Sequence, residues 1–336
     1  MTPGPRAPGP PGSQIRRSRD VPTLVAAARD GDHRAVARLV SLVENNDPAL
    51  PEVAAALAGY TGSAQVIGLT GSPGVGKSTT TNELVGLLRA GRRRVGVLAV
   101  DPSSPFTGGA ILGDRVRMQD HATDPGVYIR SMSTRGNLGG LAAATPQAVR
   151  VLEGAGCDVV LVETVGVGQA EVAVASLADT TVVLLAPGMG DAIQAVKAGI
   201  LEIADVFVVN KVDRDGADAT CRDIQGMIGL GARGPGQWRP PVVRSIAHRG
   251  EGIVDILTAI EKHREWLDKH DELIRRRERR AAAEVEAIAV GTLRARFGSP
   301  RDGAALPSLA ARVAAGTLDP YAAAAQLIAG LTVRDT

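Results

Sequence analysis

At 336 residues the chain is too long for one small domain and suits a large α/β domain with appendages. Hydrophobic residues make up 44% and aromatics 2%, so a sizeable core is available but must be aliphatic, which argues against a base-stacking nucleic-acid binder. A net charge of +2 gives no reason to expect a polyanionic partner, and no apolar run approaches the roughly 20 residues of a membrane-spanning helix.

Residues 1–20, MTPGPRAPGPPGSQIRRSRD, carry arginines but no apolar leader, and their Pro and Gly content predicts a disordered tail. From Val21 to about Asn45, Leu24, Ala28, Val36, Leu39, Val40 and Val43 recur at helical spacing, with Gly31-Asp32 dividing the stretch into two helices. A short helix from about Pro51 to Ala58 ends at Gly59 and completes an N-terminal helical extension over 21–62. Cys157 and Cys221 stand far apart and outside any C-x-x-C pair. That argues against a disulfide framework or a cysteine-rich metal site and makes a reducing cytoplasm the default location.

At Gln65 the grammar changes. QVIGLT (65–70), VGVLAV (95–100), VYIRSM (127–132), DVVLVE (158–163), TVVLLA (181–186), DVFVVN (205–210) and PVVRSI (241–246) are short apolar runs, most of them separated by helical stretches. Several are continuously apolar, as strands covered on both faces are. The pattern predicts the α/β class, with a mostly parallel sheet flanked by helices over 63–266, and ligands bound beyond the carboxyl ends of the strands. A helical region over 267–336 follows. Its charge run RRRERR (275–280) reads as a solvated helix face, and its apolar stripe Val285, Ala289, Leu293, Phe297 would pack on the parent domain or on a second copy of the chain. The histidines His33, His121, His248, His263 and His270 are scattered; His263 and His270, seven apart, are expected in solvated positions.

The stretch GSPGVGKST (71–79) lies between the first strand and a helix from Lys77 to Ala90 and fits the Walker A pattern of P-loop NTPases. Glycines let backbone N–H groups converge on one point, and the helix that starts there adds its own free N–H groups and dipole. Gly71, Ser72, Pro73, Gly74, Val75, Gly76, Lys77, Ser78 and Thr79 are thus candidate nucleotide-phosphate ligands. Lys77 suits the β- and γ-phosphates and Ser78 suits Mg²⁺. Asn210-Lys211-Val212-Asp213 follows the sixth run, where the Asp213 carboxylate can accept from the N1–H and the exocyclic amine of guanine. Adenine would leave it unpaired, so GTP and GDP are the expected nucleotides. Ser245, Ile246 and Ala247 suit a further contact to the guanine carbonyl.

Asp101, Asp114 and Glu163 fall at or after strand ends, where phosphate-bound Mg²⁺ would sit; for Asp114 an N-terminal helix charge is the alternative. Glu163-Thr164-Val165-Gly166 takes the place of the D-x-x-G segment that senses the γ-phosphate. Where Ras-like proteins place a water-positioning Gln, Val167 stands, and Gln169 comes later. Lys77, Glu163, Gly166 and Gln169 are the candidate catalytic group, and slow intrinsic hydrolysis raised by a partner is expected.

GSPGVGKST, DPSSPFTGGAILGDRVRM, RSMSTRGNLGGL, ETVGVGQAEV, GMGDAIQAVKAGILEIADVFVVNKVD and GEGI together resemble the MeaB/ArgK family of P-loop GTPases, which includes the methylmalonic aciduria type A protein. The resemblance covers about residues 21 to 330. It implies a homodimer held partly by C-terminal helices, and a GTP-hydrolysing chaperone of adenosylcobalamin-dependent acyl-CoA mutases, chiefly methylmalonyl-CoA mutase, that assists cofactor loading, protection and reactivation. A cobalamin adenosyltransferase is a further implied partner. Asp191 and Lys197, within Gly188 to Lys197, match a mobile switch segment of that family. Rival readings are a nickel-insertion GTPase, a kinase of an amino-acid transport system, and a scaffold that binds nucleotide structurally. The first lacks His-rich tracts here, and the second lacks any feature for protein phosphoryl transfer.

Overall fold

The computed structural model describes residues 20–101, 119–133, 144–164, 169–188, 201–230, 234, 236–297 and 305–332. Asp114, Gly166, Asp191 and Lys197 lie outside them, as do residues 1–19; for Asp101 and Gln169 the backbone alone is described. The chain forms two compact units, one ending at Arg277 and one beginning at Glu278.

The first unit opens with α1 (Val21–Arg29), α2 (His33–Glu44) and α3 (Leu50–Leu57). Proline in the first turn starts α1 and α3, where a missing N–H costs nothing. Asp32 starts α2 by accepting from the backbone N–H groups of Arg34 and Ala35 at 2.7 and 3.4 Å. Then follow β1 (Gln65–Thr70), α4 (Lys77–Ala90), β2 (Val95–Asp101), β3 (Val127–Ser133), α5 (Ala144–Gly154), β4 (Val159–Thr164), α6 (Gln169–Leu177), β5 (Thr180–Leu185), β6 (Val206–Asn210), α7 (Ala217–Leu230), β7 (Val242–Ser245) and α8 (Ile253–Lys269).

Each of the seven apolar runs forms a strand, with ends shifted by no more than one residue. The sheet runs β3-β2-β4-β1-β5-β6-β7 and every pairing is parallel. The strands are continuously apolar because both faces are covered. Val66, Leu98, Val100, Val160 and Val162 pack with α5 and the three N-terminal helices on one face. Ile67, Leu69, Val97, Leu161, Val182 and Leu184 pack with α4 and α8 on the other. Farther along, Val183, Leu185, Phe207 and Val209 meet α7. Each such side chain removed from water contributes about 1.5–3 kcal/mol. The N-terminal helices therefore share a core with the sheet.

At the amino ends of β1, β5 and β6 a buried ionic network gathers. α9 (Glu272–Phe297) starts there. Arg276 donates from Nη1 and Nη2 to the two oxygens of Asp205, each at 2.9 Å, and Arg277 donates from Nη2 to Asp179 at 2.9 Å. Asp179 also accepts from the Val66 N–H at 3.0 Å, and Asp205 accepts from the Thr181 N–H at 2.9 Å. His263 is fully buried between the Thr180 hydroxyl and Asp205. Two expectations are corrected. Arg276 and Arg277 of the RRRERR run are ion-paired and partly buried rather than solvated, because carboxylates at two strand starts face them. His263 is buried rather than solvated, because it fills the gap between α8 and β5.

In the second unit, α10 (Ala305–Ala314) and α11 (Pro320–Thr332) pack on each other, with Arg312 donating to Gln326 at 3.2 Å. Val285, Ile288, Leu293, Tyr321 and Ile328 are exposed. No helix among the described residues is long and apolar enough to cross a membrane.

Candidate nucleotide site

After β1 the chain turns to one side of the sheet for β2, β3 and β4, then crosses to the other for β5, β6 and β7. Such a reversal opens a crevice at the carboxyl ends of the central strands. The loop 71–76 leaves β1 at that point and runs straight into α4. Two of its glycines admit no other residue. Gly71 (φ 139°) approaches β5 so closely that a Cβ would lie 2.2 Å from the Leu184 carbonyl oxygen, and at Gly76 (φ 100°) one would lie 2.3 Å from Asn210 Nδ2. The loop thus lies close against the β5 backbone at Gly71 and against the Asn210 side chain at Gly76.

Three side chains brace it. Lys77 is 7% exposed, and its Nζ donates to the carbonyls of Gly71 at 2.7 Å and Ser72 at 3.0 Å. The ammonium therefore stands inside the curl of the loop, where a compact cation with three donors fits. Asn210, at the end of β6, donates from Nδ2 to the Val75 carbonyl at 2.8 Å, while its Oδ1 accepts from the Ala247 N–H at 2.9 Å and the Ser245 hydroxyl at 3.2 Å. Asn210 and Ser245 pair directly across β6 and β7, which sets this junction. Lys211 takes a left-handed φ of 60°, uncommon for a residue with a side chain, and its Nζ reaches the Gly74 carbonyl at 2.6 Å. Asp213 is exposed just beyond. Ile246 and Ala247 are buried, with the Ile246 N–H donating to the Glu251 carbonyl at 3.0 Å. Ser72, Pro73 and Thr79 complete the stretch, and Val75 is fully buried.

The acidic side of the site rests on one residue whose side chain is described. Glu163, near the end of β4, pairs with Leu69 of β1 and Ala99 of β2. It is 3% exposed. Its Oε1 accepts from the Ser78 hydroxyl at 2.6 Å and its Oε2 from the Thr81 hydroxyl at 3.1 Å. Asp101 ends β2, two positions past the partner of Glu163, so its backbone is at the same edge. Behind this group the Thr164 hydroxyl donates to that of Thr70 at 3.0 Å and ties β4 to β1. Sequence reasoning missed Thr81. The signal was present: Ser78, Thr81 and Leu84 recur at helical spacing on the buried face of α4.

A family model described as methylmalonyl Co-A mutase-associated GTPase MeaB matches residues 36–301. The chain belongs to the MeaB family. A Pyrococcus abyssi protein named as a GTPase is 45% identical to this MeaB-family chain over 320 residues, covering 93% of this chain and 98% of that one. The mitochondrial methylmalonic aciduria type A homolog of Mus musculus is 41% identical over 216 residues, 63% of this chain and 52% of that protein. The crystal structure of an LAO/AO transport system kinase superposes with a TM-score of 0.69 at 27% identity, covering 93% of this chain and 97% of that one. The fold is that of a P-loop NTPase, and the MeaB-family chain is a GTPase by family.

Proposed function

We propose that this MeaB-family GTPase binds GTP and GDP with Mg²⁺ and uses the nucleotide to time its assistance to an adenosylcobalamin-dependent acyl-CoA mutase, with methylmalonyl-CoA mutase the chief candidate. The family's description as mutase-associated supports the partner class. The observation that carries the nucleotide assignment is the loop 71–76, held on the sheet by Gly71 and Gly76 and braced by Lys77, Asn210 and Lys211.

In this reading the backbone N–H groups of 71–79 hold the phosphates and Lys77 supplies a positive charge to the β- and γ-phosphates. The donor set on the acidic side is wholly oxygen, the Ser78 hydroxyl and the Glu163 carboxylate, which suits a hard cation such as Mg²⁺. Ser78 and Glu163 would hold it, with Asp101 or Asp114 as further candidates; bound there, the ion supplies neutralisation of charge on the β- and γ-oxygens. Ser78 donates to Glu163 at 2.6 Å, which brings hydroxyl and carboxylate together as neighbouring oxygen ligands. Gly166 is assigned to sensing the γ-phosphate, with Gln169 in the candidate catalytic group. Asp213 reads guanine, with Ser245, Ile246 and Ala247 shaping the base pocket, and Asp191 and Lys197 report the nucleotide state. The 267–336 region serves homodimerisation, a cobalamin adenosyltransferase is a further partner, and the cytoplasm is the place of action.

Calorimetry with Mg²⁺ should give clear affinity for GDP and GTP and none comparable for ATP. Asp213→Ala should weaken guanine nucleotides by about 10- to 100-fold, the worth of hydrogen bonds to a charged group, and leave the protein's fold unchanged. Equal affinity for ATP in the wild type would overturn the base assignment. Co-purification with candidate acyl-CoA mutases should differ between GDP and a nonhydrolysable GTP analogue. Association indifferent to nucleotide would remove the switch from this reading.

A further inference from the structure

We infer that Thr81 is a positioning residue for the metal-side carboxylate, an inference that rests on the Mg²⁺ reading of Ser78 and Glu163. Glu163 is a buried carboxylate on a side chain with several rotatable bonds. Here the two oxygens are held separately: Oε1 by Ser78 at 2.6 Å and Oε2 by Thr81 at 3.1 Å. The two hydroxyls are three residues apart on α4, so they rise from one helix face as a pair of fixed points. Thr81 is fully buried, and its one hydroxyl proton is shared between Glu163 Oε2 at 3.1 Å and the Lys77 carbonyl at 3.0 Å, so its rotamer is pinned to the first turn of α4. With Oε2 secured from below, Oε1 is aimed at the Ser78 hydroxyl. Thr81 touches neither phosphate nor ion in this scheme and acts through Glu163. Partners that orient a metal ligand commonly matter to metal affinity by about 10- to 100-fold.

The test is the Mg²⁺ dependence of GDP affinity in the full chain, read by calorimetry over a Mg²⁺ series that includes EDTA. Thr81→Val keeps the shape and removes the hydroxyl, and Thr81→Ser keeps the hydroxyl. Thr81→Val should raise the Mg²⁺ concentration for half-maximal effect by about tenfold, leave GDP affinity in EDTA at the wild-type value, and be rescued by Thr81→Ser. In a Glu163→Gln background, Thr81→Val should change the Mg²⁺ requirement no further, because the group it positions is gone. An unaltered Mg²⁺ requirement in Thr81→Val overturns the inference. So does an equal loss in EDTA, which marks a packing role. If Thr81→Val does not fold, Thr81→Ser and Thr81→Ala take its place, with Ser expected to match wild type and Ala to show the shift; equal behaviour of the two overturns the inference. If wild-type GDP affinity proves independent of Mg²⁺, the metal reading itself falls and this inference with it.

Discussion

Lys77→Ala is expected to abolish GTP hydrolysis and to weaken nucleotide binding by about 100-fold or more, the scale on which removal of one preorganised charge donor acts, while the protein stays folded. The ammonium is central to the loop, donating to Gly71 and Ser72 from within its curl, so its loss removes the only positive charge that α4 places in the first turn. The loop conformation is enforced independently by Gly71, Gly76 and Asn210. Lys77→Arg is not expected to rescue, because a planar guanidinium cannot enter a curl shaped for a compact cation. Circular dichroism and thermal unfolding check the fold, and calorimetry and phosphate release check the site. A scaffold that used nucleotide only structurally would lose fold or assembly instead; a variant unchanged in both would refute both readings.

The second large effect lies at the opposite edge of the sheet. Arg276→Met should destabilise the first unit by about 3–5 kcal/mol, since it leaves the Asp205 carboxylate buried without its bidentate partner. That corresponds to a fall in Tm of about 10 °C. Burial pushes the Asp205 carboxyl up, but the hydrogen bonds and charges of His263 and Arg276 outweigh it and hold the group below the ordinary carboxylate range. The folded state therefore binds its proton later than the unfolded chain as pH falls. The contribution is fully present above the unfolded carboxylate value of about 3.9 and is lost as pH drops through the lower folded value. In Arg276→Met the burial effect faces less opposition, so the acid-unfolding midpoint should move to higher pH. Urea unfolding across pH 3 to 7 reads both effects; a wild-type profile in the variant would show that the pair contributes nothing net.

This network was not legible in the chain. Arg276 and Arg277 sit in an uninterrupted charge run whose local pattern is that of a solvated helix, and their partners stand 71 and 98 residues earlier. Nothing local marks Asp179 or Asp205 as more than a turn residue before a strand. His263 was misplaced for the same reason. Thr81 was a different case, since its spacing from Ser78 was visible and only the arrival of Glu163 from 82 residues away gave the spacing a purpose.

What the chain determined alone was everything that repeats at short range. Seven aliphatic runs specified seven strands, the helices between them imposed parallel order, and the glycines around Lys77 specified a phosphate-binding turn. Tertiary structure alone decided which distant side chains meet: Asn210 and Lys211 on the loop carbonyls, Ser78 and Thr81 on Glu163, Arg276 and Arg277 on the strand starts. The physical reason is that backbone conformation follows from local sterics and periodic burial, whereas the worth of a charge or hydroxyl depends on what the folded sheet sets against it and on how little water remains there.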